Sequence, residues 1–183
     1  MTRATRRAGS KSGTPPQLLS QRRGKLPERD KPSRRPPRSR VASIDVVFLD
    51  AGWKAALPSA ARLVRRAARA ALGMRGGALT VALAADLQVR RLNARHRGKD
   101  RPTNVLSYPS HDRPFLGDIV LARQTVWREA RAQGKTAAAH VSHLVVHGTL
   151  HLLGYDHLRD GQARRMEGLE RRILARLGIA DPY

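Results

Sequence analysis

The chain has 183 residues, with 36 Lys+Arg against 14 Asp+Glu, seven histidines and no cysteine. That length suits one domain with a buried core, and the lack of cysteine excludes disulfides, zinc ribbons and thiol nucleophiles, so any metal site must use His, Asp or Glu. The net charge of +22 points to an anionic partner such as RNA, DNA or a charged surface, while the 4% aromatic content argues against a stacking platform for single-stranded bases.

Residues 1–40 hold 13 Lys+Arg and 2 acids, half of the excess charge, together with six of the eleven prolines and few large apolar side chains. Such a segment buries too little surface to offset the entropy of ordering, so it reads as a disordered basic tail. A polybasic tail can touch nucleic acid through its phosphates. A solvated extension and an organelle transit peptide are the alternatives, the prolines weighing against the latter.

The folded part is expected to span residues 41–183. "VASIDVVFLD" (41–50) is β-branched and apolar with partial alternation, which predicts a strand. "LPSAARLVRRAARAALGM" (57–74) opens on Pro58 and Ser59 and sets Leu63, Val64, Ala67, Ala71 and Leu72 on one face, with arginines on the other: an amphipathic helix. "GGALTVALAA" (76–85) is a second strand after a glycine turn. "DLQVRRLNARHRG" (86–98) is a helix that Asp86 should cap. A polar loop, "RGKDRPTN" (97–104), leads into strands "VLSYP" (105–109) and "FLGDIVLA" (115–122). Three helices follow: 124–135 ending near Gly134, 136–154 ending near Gly154, and 160–178 stopping at Gly178. Four short strands and about five helices predict an α+β domain, one small mixed sheet with helices packed on it; the strand order does not follow from the pattern. The longest apolar stretch, 141–153, is broken by His143, His147 and His151. No run approaches the roughly 18–20 residues of a membrane span, and no signal-peptide core follows Met1. A cytoplasmic protein without a membrane partner is therefore expected, or an organelle protein if the tail is a transit peptide.

The chemistry concentrates in "HGTLHLLGYDH" (147–157). Residues four apart share a helix face about 6 Å apart, so His147 and His151 can chelate one ion. Gly154 permits the turn that returns His157 to the same ion. The result is the ligand spacing of a metzincin protease. Three histidines leave one tetrahedral position open, the catalytic rather than the structural pattern for zinc, and nitrogen donors without thiolate suit that metal. His143, one turn before His147, is either a fourth ligand or a packed neighbour; His140 and His111 read as ordinary. A zinc protease needs a glutamate after the first histidine as proton acceptor, and here stands Gly148, which argues against a peptidase. Asp156 reads equally as a turn residue or as a group that orients a histidine or accepts a proton.

Arg97, Lys99 and Arg101 place three cations in five residues beside a proline-stiffened turn, and a guanidinium can hold two phosphate oxygens. The alternative is a solvated basic loop. Asn104 either bonds substrate or caps the turn. Asp118 is expected to hold a loop by accepting backbone bonds, and Met166 and Glu167 to sit on a helix packed against the core.

"HGTLHLLGYDH", "LNARHRGKDRPTNVLSYP" (92–109), "LGDIVLA" (116–122) and "MEGLERRILARLG" (166–178) together resemble the YbeY family of metal-dependent, single-strand-specific endoribonucleases of bacteria and organelles. The resemblance covers about residues 41–180. It implies a four-stranded sheet with flanking helices, one zinc ion on His147, His151 and His157, and an activity-bearing arginine at Arg97. It also implies a role in maturing the 3′ end of small-subunit ribosomal RNA and in ribosome quality control. The partners implied are ribosomal RNA of the small subunit, ribosomal proteins and an assembly GTPase. One departure is His96, where the family usually has Tyr or Phe; an imidazole can still stack. Two competing functions remain: a zinc-stabilised RNA-binding assembly factor that cuts nothing, and a metal-dependent hydrolase of another substrate.

Overall fold

The computed structural model describes residues 42–183; the basic tail lies outside the described residues. Eleven elements follow in chain order. They are β1 (Ala42–Phe48), α1 (Gly52–Ala56), α2 (Ala60–Leu72), a 3-10 turn at Gly73–Arg75, β2 (Gly77–Ala84), α3 (Asp86–Arg97), β3 (Val105–Pro109), β4 (Phe115–Ala122), α4 (Arg123–Ala132), α5 (Ala137–Leu152) and α6 (Asp160–Arg176). The sheet order is β1-β2-β4-β3; β1, β2 and β4 are parallel and β3 runs antiparallel to β4. This is the α+β class with a mixed four-stranded sheet. Among the described residues there are six helices rather than five, because α1 forms in what reads as the loop after β1. Its Trp53 is fully buried, donates Nε1–H to the Ala84 carbonyl at 2.9 Å and meets Trp127 edge-on.

The sheet is covered on both faces. One face carries Ile44, Leu79, Val81, Leu83, Ile119 and Leu121 into a core with α2, α5 and α6. The other packs Ala84, Leu106, Val120 and Ala122 against Val89 of α3. Parallel strands buried on both faces explain why β2 and β4 read as nearly unbroken apolar runs. Successive residues of β3 point to opposite sides: Leu106 and Tyr108 join the α3 core, while Val105, Ser107 and Pro109 face a cleft beside α5. β3 is thus an edge strand that floors the cleft, and α5 is its wall.

Gly148 explains how close that wall stands. A Cβ there would lie 3.0 Å from Ser107 Oγ and 3.1 Å from both Ile119 Cδ1 and Cγ2. The glycine therefore faces the sheet and lets α5 approach β3 and β4.

Two local expectations need correction. Asp86 does not cap α3: the N-cap is Ala85, whose N–H donates to Gln88 Oε1 at 2.7 Å. Asp86, in the first turn, instead accepts from Thr125 N–H at 2.9 Å and Thr125 Oγ1 at 2.7 Å, tying α3 to α4. Asp118 does not hold a loop either. It is an exposed residue of β4 opposite Tyr108, and its carboxylate accepts no hydrogen bond among the described residues. Met166 is buried as expected, and Glu167 is half-buried beside it. No helix among the described residues is long and apolar enough to cross a membrane.

Candidate metal centre

α5 brings His147 and His151 to one side of the cleft, one turn apart and half-buried. After α5 the chain turns at Gly154, whose φ of 87° is open to glycine at little cost, and returns the exposed His157 to face both. One ring nitrogen from each of His147, His151 and His157 lies within 4.8 Å of the others, a group that could hold a metal ion. His143 is not part of it: its Nε2 points to Glu170 at 3.1 Å.

The hydrogen bonds fix which nitrogens are free. His147 Nδ1 donates to Glu170 Oε1 at 2.9 Å, and an ionised carboxylate can only accept. His151 Nδ1 donates to the Tyr155 carbonyl at 3.0 Å, again an acceptor only. In the neutral rings the lone pairs then lie on the two Nε2 atoms, which face each other at 3.1 Å. Lone pairs placed so close together suit a shared cation. Burial lowers the pKa of His151, and the neighbouring His147 and His157 lower it further against the hydrogen bond to Tyr155. The ring thus keeps the neutral form that a metal needs. Three imidazole donors with an open side suit zinc.

Glu170 was not singled out in the sequence. It is fully buried in α6 and receives hydrogen bonds from His143, His147 and the Tyr183 hydroxyl. Burial pushes its carboxyl up, but the bonds from His143, His147 and Tyr183 outweigh that and leave its pKa at about 2. One signal was available: Met166, Glu170 and Leu174 are four apart, so an acid sits in the apolar stripe of a helix.

The cleft, of about 580 Å³, is lined by Arg97, Thr103, Asn104, Val105, Ser107 and Pro109 on one side and by the histidines, Gly154, Tyr155 and Asp156 on the other. Arg97 ends α3 and is exposed. Gly98, at φ 66°, terminates the helix and leaves Arg97 at the cleft mouth. His96 packs edge-on against Tyr108, with centroids 5.3 Å apart. Lys99 and Arg101 are exposed in the loop before β3 and do not line the cleft. That loop is pinned by paired bonds of 2.7 and 2.6 Å from Arg90 to Asp100, and by Asn93 Nδ2 to the Arg101 carbonyl at 2.8 Å.

Asn104 caps its turn, accepting from Val105 N–H at 2.7 Å, and its Nδ2 donates to Glu129 Oε2 at 2.9 Å. The same carboxylate oxygen meets the buried His140 at 2.9 Å. Asp156 Oδ1 accepts from the His157 N–H at 2.8 Å, so it shapes the loop that carries the third histidine.

Comparison with known proteins gives one consistent result. The family model described as Endoribonuclease YbeY matches residues 50–178. Endoribonuclease YbeY of Azorhizobium caulinodans is 50% identical over 152 residues, covering 76% of this chain and 95% of the relative. The Gluconobacter oxydans protein of the same name is 48% identical over 154 residues, covering 80% and 91%. That of Alkalilimnicola ehrlichii is 54% identical over 141 residues, covering 72% and 85%.

Proposed function

Because the chain belongs to the Endoribonuclease YbeY family, we propose that it cuts single-stranded RNA internally with one zinc ion held by His147, His151 and His157. Its substrate on this reading is ribosomal RNA, at the 3′ end of the small-subunit species, in the cytoplasm or an organelle where ribosomes are made. The small ribosomal subunit, its proteins and an assembly GTPase are the partners that go with that role. The reading rests on one observation: ring nitrogens of three histidines lie within 4.8 Å of one another in a cleft that Arg97 also lines.

When bound, zinc supplies Lewis acidity toward a phosphoryl oxygen or a water. The rest is the work of the chain. β3 and α5 form a groove open enough for a strand of nucleic acid. Arg97 at its mouth takes a phosphate by a two-pronged bond and stabilises the charge that develops on its oxygens. Lys99 and Arg101 hold the flanking backbone by charge. Asn104, held by Glu129, presents a fixed polar group to the substrate. Asp156 keeps one carboxylate oxygen without a partner among the described residues and serves as the proton acceptor. Peptide hydrolysis is disfavoured by packing as well as by residue type, since a side chain at position 148 would press on Ser107 and Ile119.

The test is metal analysis of the purified protein together with mapping of the RNA ends it produces, for wild type and His151→Ala. One zinc per chain and cleavage by wild type, with both lost in the variant, are expected. A 2′,3′-cyclic phosphate end identifies the RNA's own 2′-OH as nucleophile, because direct attack by water cannot leave one. Tight RNA binding without cleavage by zinc-loaded wild type overturns the proposal in favour of a non-catalytic assembly factor.

A further inference from the structure

We infer that Glu170 and Tyr183 act together as a latch that orients His147 for the metal, so that residues beyond α6 set the affinity of the site. The inference rests on the metal reading above and extends it to residues that do not touch the ion.

Glu170 is fully buried and its helix neighbours Met166, Ile173 and Leu174 belong to the apolar core. A carboxylate is the least favourable choice there unless its oxygens are occupied. They are: Oε1 accepts from His147 Nδ1, and Oε2 accepts from His143 Nε2 and from the Tyr183 hydroxyl. A metal-binding histidine needs its second nitrogen held, which fixes both the tautomer and the ring plane and raises the basicity of the ligand atom. Glu170 Oε1 does this for His147. The two donors on Oε2 hold the carboxylate itself, so that Oε1 cannot rotate away.

Tyr183 lies five residues past the region that matches the family model. The segment carrying it folds back through contacts of its own. Arg171 pairs with Asp181 at 3.1 Å and lies over the Tyr183 ring at 4.9 Å. Lys135 Nζ donates to the Pro182 carbonyl. The ring meets His143 edge-on at 5.6 Å. Although the residue is 57% exposed, its hydroxyl reaches inward to a carboxylate that no solvent touches. Held by Asp181 and Arg171 at one end and Glu170 at the other, Tyr183 is a positioning residue that acts through Glu170 on His147.

The experiment is a zinc dissociation constant, measured by competition with a chromophoric chelator on the full chain, for wild type, Glu170→Gln and Tyr183→Phe. Thermal unfolding of the metal-free proteins is recorded alongside. Glu170→Gln should weaken zinc binding by roughly 10- to 100-fold, the range seen when such an outer partner is lost. Tyr183→Phe keeps the ring and removes only the hydroxyl; it should weaken binding by about three- to tenfold, since it acts at one remove. A merely structural role would lower the unfolding temperature of the metal-free protein and leave the dissociation constant alone. If Glu170→Gln does not fold, Tyr183→Phe decides. Wild-type affinity in Tyr183→Phe overturns the latch while leaving the metal site intact. Failure of wild type itself to bind one zinc overturns the metal reading, and the latch with it.

Discussion

His151 donates its Nδ1–H to the carbonyl of Tyr155, four residues further along the same chain. The turn that ends α5 therefore also selects the tautomer of a residue within α5. With Nδ1 occupied, only Nε2 is available, and it points at His147 Nε2. Removing either ring should remove the ion. His147→Ala and His151→Ala are each expected to drop bound zinc from one per chain to near zero by atomic absorption, and cleavage with it. A chelator should silence the wild-type protein and added zinc should restore it. Full metal content in either variant would show that the ligands lie elsewhere.

Arg97 is exposed and lines the same cleft as the histidines. Arg97→Ala should keep its zinc and its unfolding temperature while cleavage falls by about 10²- to 10³-fold, the usual loss of one charge-stabilising donor. Arg97→Lys should recover only part of this, because an ammonium cannot form the two-pronged bond. Wild-type turnover in Arg97→Ala would remove its role.

Gly148 gives a packing prediction. In an open helix, replacing it by alanine would gain up to about 1 kcal/mol. Here the new methyl would press on Ser107 and Ile119 at 3.0 and 3.1 Å, and such overpacking costs about 1–3 kcal/mol. Gly148→Ala should therefore be less stable than wild type in urea by about 1 kcal/mol net. Gly148→Glu restores the glutamate of a protease motif, yet it should yield misfolded protein and no peptidase, since the side chain would press on Ser107 and Ile119. A folded, peptide-cleaving Gly148→Glu would contradict the geometry.

Asp50 carries a pH prediction. Its Oδ2 accepts from Arg123 Nε at 2.6 Å and its Oδ1 from Gly52 N–H at 3.0 Å, joining the start of α1 to the start of α4. The Arg123 hydrogen bond, against the opposing effect of burial, holds its carboxyl below the usual carboxylate value. A depressed carboxylate stabilises the fold above its unfolded pKa, near 4, and the contribution disappears as pH falls through the lower folded value. Asp50→Asn should thus cost about 1 kcal/mol at pH 7, and the gap to wild type should close below pH 4. A gap that is constant from pH 7 to pH 3 would assign the loss to something other than the charge.

What could be read from the sequence was local. The four strands and the long helices carry their own periodicity, and His147, His151, Gly154 and His157 lie within eleven residues whose spacing follows from helix geometry. α1 escaped because five residues are too few to show a period. Asp86 misled because an acid before a helical run is the usual cap; Gln88 reaches back to Ala85 instead, freeing Asp86 to bond α4. The strand order depends on pairings between distant segments, which no local pattern encodes. Glu170 lies 23 residues from His147 and reads as one more acid on an amphipathic helix, until α6 packs on α5. The glycine at 148 could be recognised as the wrong residue for a protease, but only the nearness of Ser107 and Ile119 shows what it is for.

The three histidines differ in footing. His147 and His151 are half-buried on a helix clamped to the sheet, whereas His157 is exposed on the connection between α5 and α6. An ion held here would meet two donors on a helix and a third on a loop, all three within 4.8 Å of one another. Affinity and exchange are then set by different parts of the molecule. The helix pair decides how deeply the ion would sit, and the connection that carries the exposed His157 is where it would come and go. Changes in that loop would alter residence time, and with it the response of the protein to a brief shortage of metal, without touching the bond lengths at equilibrium.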